Sequence, residues 1–239
     1  MVDWDYEPTA DFDKTPIERL RLFPRQPDML VYGLRLAVHL LVRGWMWLWH
    51  RYRVHGREHL PDDQPFVMVA NHASHLDALA LLCALPLRKI QKAYPAAAKD
   101  YFFTTLPKIA FSAIVVNAMP FDRKENPRDS LAICRDLLGT PGHVLILFPE
   151  GTRSPTGELA PFKPGIGFLV AGSEIPVVPC YLEGAFRAWP KGAWLPRPRR
   201  LRLHAGAPLT FASLSADKEG AKATAAQLEQ AVRALRPAS

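Results

Sequence analysis

Beyond residue 51 the hydrophobic residues fall in short runs, separated by polar or proline-bearing joints, and the runs alternate in kind. "YRVHG" (52–56) and "FVMVA" (66–70) are short and rich in β-branched or aromatic residues, so they predict strands. Residues 74–85 predict a helix, "AIVVNAM" (113–119) a strand, Pro127–Leu138 a helix and "HVLILF" (143–148) a buried strand. Residues 164–173 predict a short helix. "PVVPCYLEG" (176–184) and "RLRLHAG" (200–206) predict two further strands, and 216–236 an alanine-rich helix. Strands alternating with helices imply one α/β domain over 52–239, with a largely parallel central sheet flanked by helices. Such a sheet gathers its binding groups in loops at the strand ends.

The segment before this domain patterns differently. Residues 1–28 are polar, mostly acidic and broken by prolines, which predicts a loosely ordered arm. In "MLVYGLRLAVHLLVRGWMWLWHRYR" (29–53), Arg35, His39 and Arg43 recur every four residues and share one helical face, while Leu, Val and Trp cover most of the rest. A spanning helix needs roughly 18 apolar residues with few charges, and this run is interrupted. The pattern predicts an amphipathic helix over 29–51 lying in a membrane interface, with tryptophans at headgroup depth and arginines facing lipid phosphates. Packing of the same helix on the protein's own core is the competing reading.

Composition narrows the partners. The 239 residues carry a formal net charge of +7, which favours a nucleic acid, a membrane surface or a phosphate-bearing substrate. No nucleic-acid module is recognisable, and the basic residues near the motifs are interleaved with acids, so nucleic acid is the weakest of the three. The three cysteines are dispersed and odd in number, which points to isolated core thiols in a reducing compartment. The acidic first residues do not resemble a secretory leader, so a cytoplasmic location is expected. "WPKGAWLPRPRR" (189–200) predicts a basic surface loop, either solvated or touching anionic headgroups.

Candidate chemistry sits where two of the strands end. After "FVMVA" comes "NHASHLD", which crowds Asn71, His72, Ser74, His75 and Asp77 between two apolar runs. On one ideal helix His72 and Asp77 would lie about 140° apart at ~3.6 residues per turn. They meet only if His72 occupies the turn before the helix and Asp77 its first turn. Ser74 as N-cap would place Asp77 at the third helical position. Two readings fit. Ser74 and Asp77 form a capping box and nothing more, or the carboxylate orients an imidazole that acts as general base. A metal site at His72, His75 and Asp77 lacks a further ligand and a helical ligand spacing. No G-x-S-x-G nucleophile elbow occurs, which agrees with direct transfer to a substrate hydroxyl.

The second cluster follows "HVLILF" as "PEGTRSPTG". Gly151 permits a tight turn or close ligand approach, and Arg153 offers a planar fork suited to phosphate. Glu150 and Thr152 flank them. Lys163, in "PFKPGIGF", and Arg123, in "NAMPFDRKEN", add cations at other loops.

Together the two clusters carry a resemblance. "NHASHLD" resembles the N-H-x-x-x-x-D motif and "FPEGTRS" the F-P-E-G-T-R-S motif of the glycerolipid acyltransferases, in particular the 1-acylglycerol-3-phosphate (lysophosphatidic acid) acyltransferases, over roughly 52–205. Asp122 and Arg123 resemble the end of that family's G-x-x-F-I-D-R block, and "IPVVPCYLEG" (175–184) its fourth block. The resemblance implies that 52–239 is an acyltransferase domain, with His72 as general base and Asp77 as its orienting partner. It implies that Arg123, Glu150, Gly151, Thr152 and Arg153, with Lys163 beside them, bind or position the phosphate-bearing acceptor. It further implies an acyl-CoA or acyl carrier protein donor, no metal and no cofactor, and a place on the cytoplasmic face of the membrane. Acylation of another lysolipid or an amino-acid-linked lipid keeps the same chemistry; a non-catalytic membrane-binding scaffold does not. One block departs: Asn117 and Pro120 replace the family's Gly and Phe, and Phe121 its Ile. Asn tolerates a left-handed turn, so the departure bears on the acceptor more than on the reaction.

Overall fold

The structure, a computed structural model, describes residues 23, 28–98, 105–122 and 127–237. Arg123 and nearly all of the 1–28 arm lie outside the described residues. Seven strands form one sheet: β1 (Arg53–His55), β2 (Phe66–Ala70), β3 (Ala93–Ala98), β4 (Met119–Phe121), β5 (Val144–Leu147), β6 (Val177–Glu183) and β7 (Arg202–Ala205). Their order is β1-β7-β6-β2-β5-β3-β4. The pairs from β6 through β2, β5 and β3 to β4 are parallel. Among the described strands the β6–β7 pair is antiparallel and β1 pairs parallel to β7, so β1 and β7 run against the rest.

Strand β2 is fully buried, and its two faces feed two cores. Phe66, Met68 and Ala70 join α1 (Met29–His50) and α2 (Asp77–Ala84) on one side. Val67 and Val69 join α4 (Pro127–Leu138), α5 (Gly165–Val170) and α7 (Lys218–Ala234) on the other. The remaining helices are short, α3 (Leu106–Ala110) and α6 (Ala185–Ala188). Helix α5 approaches α7 so closely that a Cβ on Gly167 would lie 2.0 Å from the Ala221 carbonyl oxygen. This is the parallel, helix-flanked α/β domain that the alternation of runs predicts.

One local expectation fails, and one strand was not foreseen. "AIVVNAM" is not one strand: Phe111–Val115 winds into a wide helical turn and only Met119–Phe121 pairs. Between them Asn117 turns left-handed (φ 53°) and its side-chain amide donates to the Gln91 and Ala93 carbonyls. Conversely β3, "AYPAAA", carries little strand propensity, and it forms because β4 and β5 pair with it on both sides.

Helix α1 corrects the orientation expected of its basic stripe. Arg35, His39 and His50 are buried against the domain. Arg35 donates to the Ala113 and Ile114 carbonyls and to Gln91 Oε1, and Arg43 donates to the Leu85 carbonyl. The outer face is apolar: Leu30, Leu40, Leu41, Trp47, Leu48 and Trp49 are exposed. Guanidinium groups can enter a protein interior when their N–H groups meet carbonyls, and here backbone carbonyls from two other segments supply them.

Candidate active site

Strands β2 and β5 lie side by side and in parallel, with Val69 opposite Leu147. Their following loops therefore emerge together at the carboxyl edge of the sheet. That register brings "NHASHLD" next to "FPEGTRS".

Within the first loop His72 Nδ1 lies 2.8 Å from Asp77 Oδ2. The same oxygen accepts the backbone N–H groups of Ala73 and Ser74 at 2.7 and 2.8 Å. Asp77 is the first residue of α2, not its third, because Ser74 does not cap the helix: its hydroxyl donates to the Trp189 carbonyl and accepts from Leu76 N–H. The carboxylate turns backwards and folds the loop around itself. His72 stacks on Phe148 at 4.2 Å between ring centroids, which leaves Nε2 as the nitrogen directed away from Asp77. Asn71 bridges to β6, accepting from Leu182 N–H and donating to its carbonyl, and so anchors the loop's start.

Glu150 is buried, and both its carboxylate oxygens are engaged by backbone. Oε1 accepts from His72 N–H at 2.6 Å and Oε2 from Ala160 N–H at 3.0 Å. Burial pushes its carboxyl pKa above the usual range, and the two amides oppose that shift. A return bond from Ser154 N–H to the His72 carbonyl closes the clamp between the loops. Gly151 sits at φ 74°, a left-handed conformation that favours glycine, and a Cβ there would come 2.8 Å from the mobile end of Lys163. Arg153 Nη1 meets the His75 imidazole edge, 2.7 Å from Nδ1. Burial, then the Arg153 charge, lowers the His75 pKa, and the Asp77 charge opposes that shift.

His72, Gly151, Thr152, Arg153 and Lys163 all line one cleft of about 1330 Å³. Three cations that the sequence reading did not single out also line it: Arg128 and Arg135 from α4, and Lys191. Among the described residues no acidic side chain does. Much of the lining is apolar, including Leu79, Ala96, Ala97, Ala98, Val116, Ala118 and Leu131. Thus the structure gathers His72, Asp77 and the Glu150–Arg153 loop with Lys163 at one site. Among the described residues no group of three His, Cys, Asp or Glu side chains is arranged to hold a metal.

The family model described as Acyltransferase matches residues 51–183, more than half of the chain. A chloroplastic 1-acyl-sn-glycerol-3-phosphate acyltransferase of Brassica napus is 32% identical over 163 residues, which cover 65% of this chain and 45% of that protein. The human 1-acyl-sn-glycerol-3-phosphate acyltransferase alpha is 32% identical over 136 residues, 56% of this chain and 46% of that protein. The chain thus spans about half the length of these curated relatives. The crystal structure of the 1-acyl-sn-glycerophosphate (LPA) acyltransferase PlsC from Thermotoga maritima superposes with a TM-score of 0.65, at 22% identity, over 93% of this chain and 89% of that one. The matched segment holds both motifs and the sheet that juxtaposes them, and the chain belongs to the acyltransferase family.

Proposed function

We propose that the protein transfers a fatty acyl group from an acyl thioester to the free hydroxyl of lysophosphatidic acid, giving phosphatidic acid. One observation carries this reading: an imidazole held by a carboxylate stands in a cleft lined by many apolar residues together with several cations. His72 Nε2 takes the hydroxyl proton while the oxygen's electron pair forms a bond to the thioester carbonyl carbon. The tetrahedral intermediate collapses, the carbon–sulfur bond breaks, and the thiolate leaves with the proton returned by His72. Asp77 fixes the tautomer and stabilises the imidazolium between these steps. Arg153 and Lys163, with Arg123, take the acceptor phosphate, for which a cluster of cations in a partly dry cleft is suited. Glu150 serves as a positioning residue, since its oxygens hold backbone at His72 and Ala160. The apolar part of the lining accommodates the acyl chain of a coenzyme A or acyl carrier protein thioester.

The acceptor lives in a bilayer, and α1 offers an apolar outer face of the length a membrane requires. We place the enzyme on the cytoplasmic face of the membrane, with α1 lying in the interface and its cationic stripe turned to the domain. The scheme draws on no metal or cofactor, and turnover is expected to persist in EDTA. Thiol release with lysophosphatidate as acceptor tests the reading. Wild type should release thiol, His72→Ala should not, and vesicle binding should be equal in both. Wild-type protein that binds vesicles but releases no thiol overturns it in favour of a membrane-binding scaffold.

A further inference from the structure

The segment from Trp189 to Arg200 takes no part in the scheme above, yet it is built as firmly as the site. Trp189 Nε1 donates to the Ala193 carbonyl at 2.9 Å, and Ala193 N–H closes a turn on the Pro190 carbonyl at 3.1 Å. Arg197 N–H donates to the Ala188 carbonyl at 2.8 Å. Pro190, Pro196 and Pro198 restrict the backbone further. At the tip of this pinned loop Trp194 is 87% exposed and Leu195 62% exposed. Holding a tryptophan and a leucine in water on an ordered loop has no folding advantage.

Its surroundings say what they face. Arg197, Arg199 and Arg200 are exposed beside them, and no Asp or Glu occurs between Glu183 and Asp217. The loop is tied at one end to α1, where the Arg199 carbonyl lies 3.1 Å from His50 Nδ1 and Leu201 N–H donates to the His50 carbonyl. That is the end of α1 whose Trp47, Leu48 and Trp49 are exposed. At its other end the Trp189 carbonyl accepts from Ser74 Oγ in the His72 loop, and Lys191 lines the cleft. An aromatic–aliphatic tip collared by arginines suits the boundary between acyl chains and anionic headgroups.

We propose that the 189–200 loop is a second membrane contact, in which Trp194 and Leu195 enter the interface of an anionic bilayer and Arg197, Arg199 and Arg200 bind its headgroups. The contact continues the apolar face of α1 to the side of the cleft, so that the His72 loop stands next to the lipid surface from which the acceptor comes. The inference rests on the membrane role given to α1 above.

Co-sedimentation with vesicles tests it, comparing phosphatidylcholine alone with phosphatidylcholine containing phosphatidylglycerol. The variants are Trp194→Ala with Leu195→Ala, and Arg197→Gln with Arg199→Gln and Arg200→Gln. The apolar pair should weaken partitioning into both vesicle types, and the arginine triple only into the anionic ones, each on the order of tenfold. Turnover of a short-chain lysophosphatidate below its micellar concentration, and the thermal midpoint, should stay at wild-type values. Wild-type-like partitioning by both variants overturns the loop contact alone. Wild type that binds no vesicle overturns the role of α1 and the loop contact with it. If the arginine triple instead loses binding to an acyl carrier protein while vesicle binding is intact, the surface belongs to an acidic protein and the proposal fails.

Discussion

Asp77 Oδ2 accepts three hydrogen bonds, from the His72 ring and from the Ala73 and Ser74 amides. One oxygen thus both braces the loop backbone ahead of α2 and holds the His72 ring, the contact that the proposed general-base role requires. Asp77→Asn keeps an acceptor but removes the charge that stabilises an imidazolium, so kcat should fall by about 10²–10⁴; a rate within threefold of wild type by thiol release would remove Asp77 from the mechanism. For Arg153 the effect should fall on binding. Arg153→Ala is expected to raise KM for the phosphorylated acceptor about tenfold or more while leaving KM for the thioester near its original value, the loss of one charge-assisted contact. Equal rises in both constants would refute its assignment. The His72–Asp77 pairing is readable because the partners are five positions apart and one loop suffices to join them. The place of Arg128, Arg135 and Lys191 in the cleft lining was not readable, since each is an ordinary surface cation until α4 or the 189–200 loop is packed beside the cleft.

At the scale of elements, helix α1 shows what periodicity leaves undecided. A repeat of Arg35, His39 and Arg43 states that two faces differ, not which one faces inward. The buried carbonyls at Leu85, Ala113 and Ile114 decide it by accepting the guanidinium N–H groups. Buried beside them, His39 has its pKa pushed down to about 4 by desolvation, with Arg43 and Arg35 lowering it further. Because the unfolded chain, at an ordinary pKa near 6.5, binds the proton more readily than the folded one, His39 makes stability fall as pH drops from about 6.5 towards 4. The thermal midpoint should therefore decline through that window, and His39→Leu should flatten the decline; an unchanged slope in the variant would exclude His39 as a source. The α5–α7 contact yields a different expectation. Gly167→Ala forces a methyl to within 2.0 Å of the Ala221 carbonyl oxygen unless the helices part, so the substitution should destabilise by about 1–3 kcal/mol. Denaturant midpoints measure this, and a loss below about 0.5 kcal/mol would mean the helices separate freely. Strand β3 was missed because alanine-rich sequence carries no strand signal, and its neighbours impose the conformation.

For the whole molecule, three features bear on the membrane role proposed above: the exposed apolar face of α1, the exposed Trp194 and Leu195, and a cleft whose lining includes five cations, Arg128, Arg135, Arg153, Lys163 and Lys191. The sequence by itself determined the strand and helix alternation, the two motif loops at strand ends and the chemistry available in each. Those depend on local spacing and residue type, which a linear pattern contains. Only the tertiary structure decided that β2 pairs with β5 and so unites the loops, that Glu150 reaches the backbone of His72 from 78 positions away, and that α1 turns its arginines inward. Each of these is settled by which distant carbonyls, amides and apolar surfaces come within contact, and no local pattern encodes that.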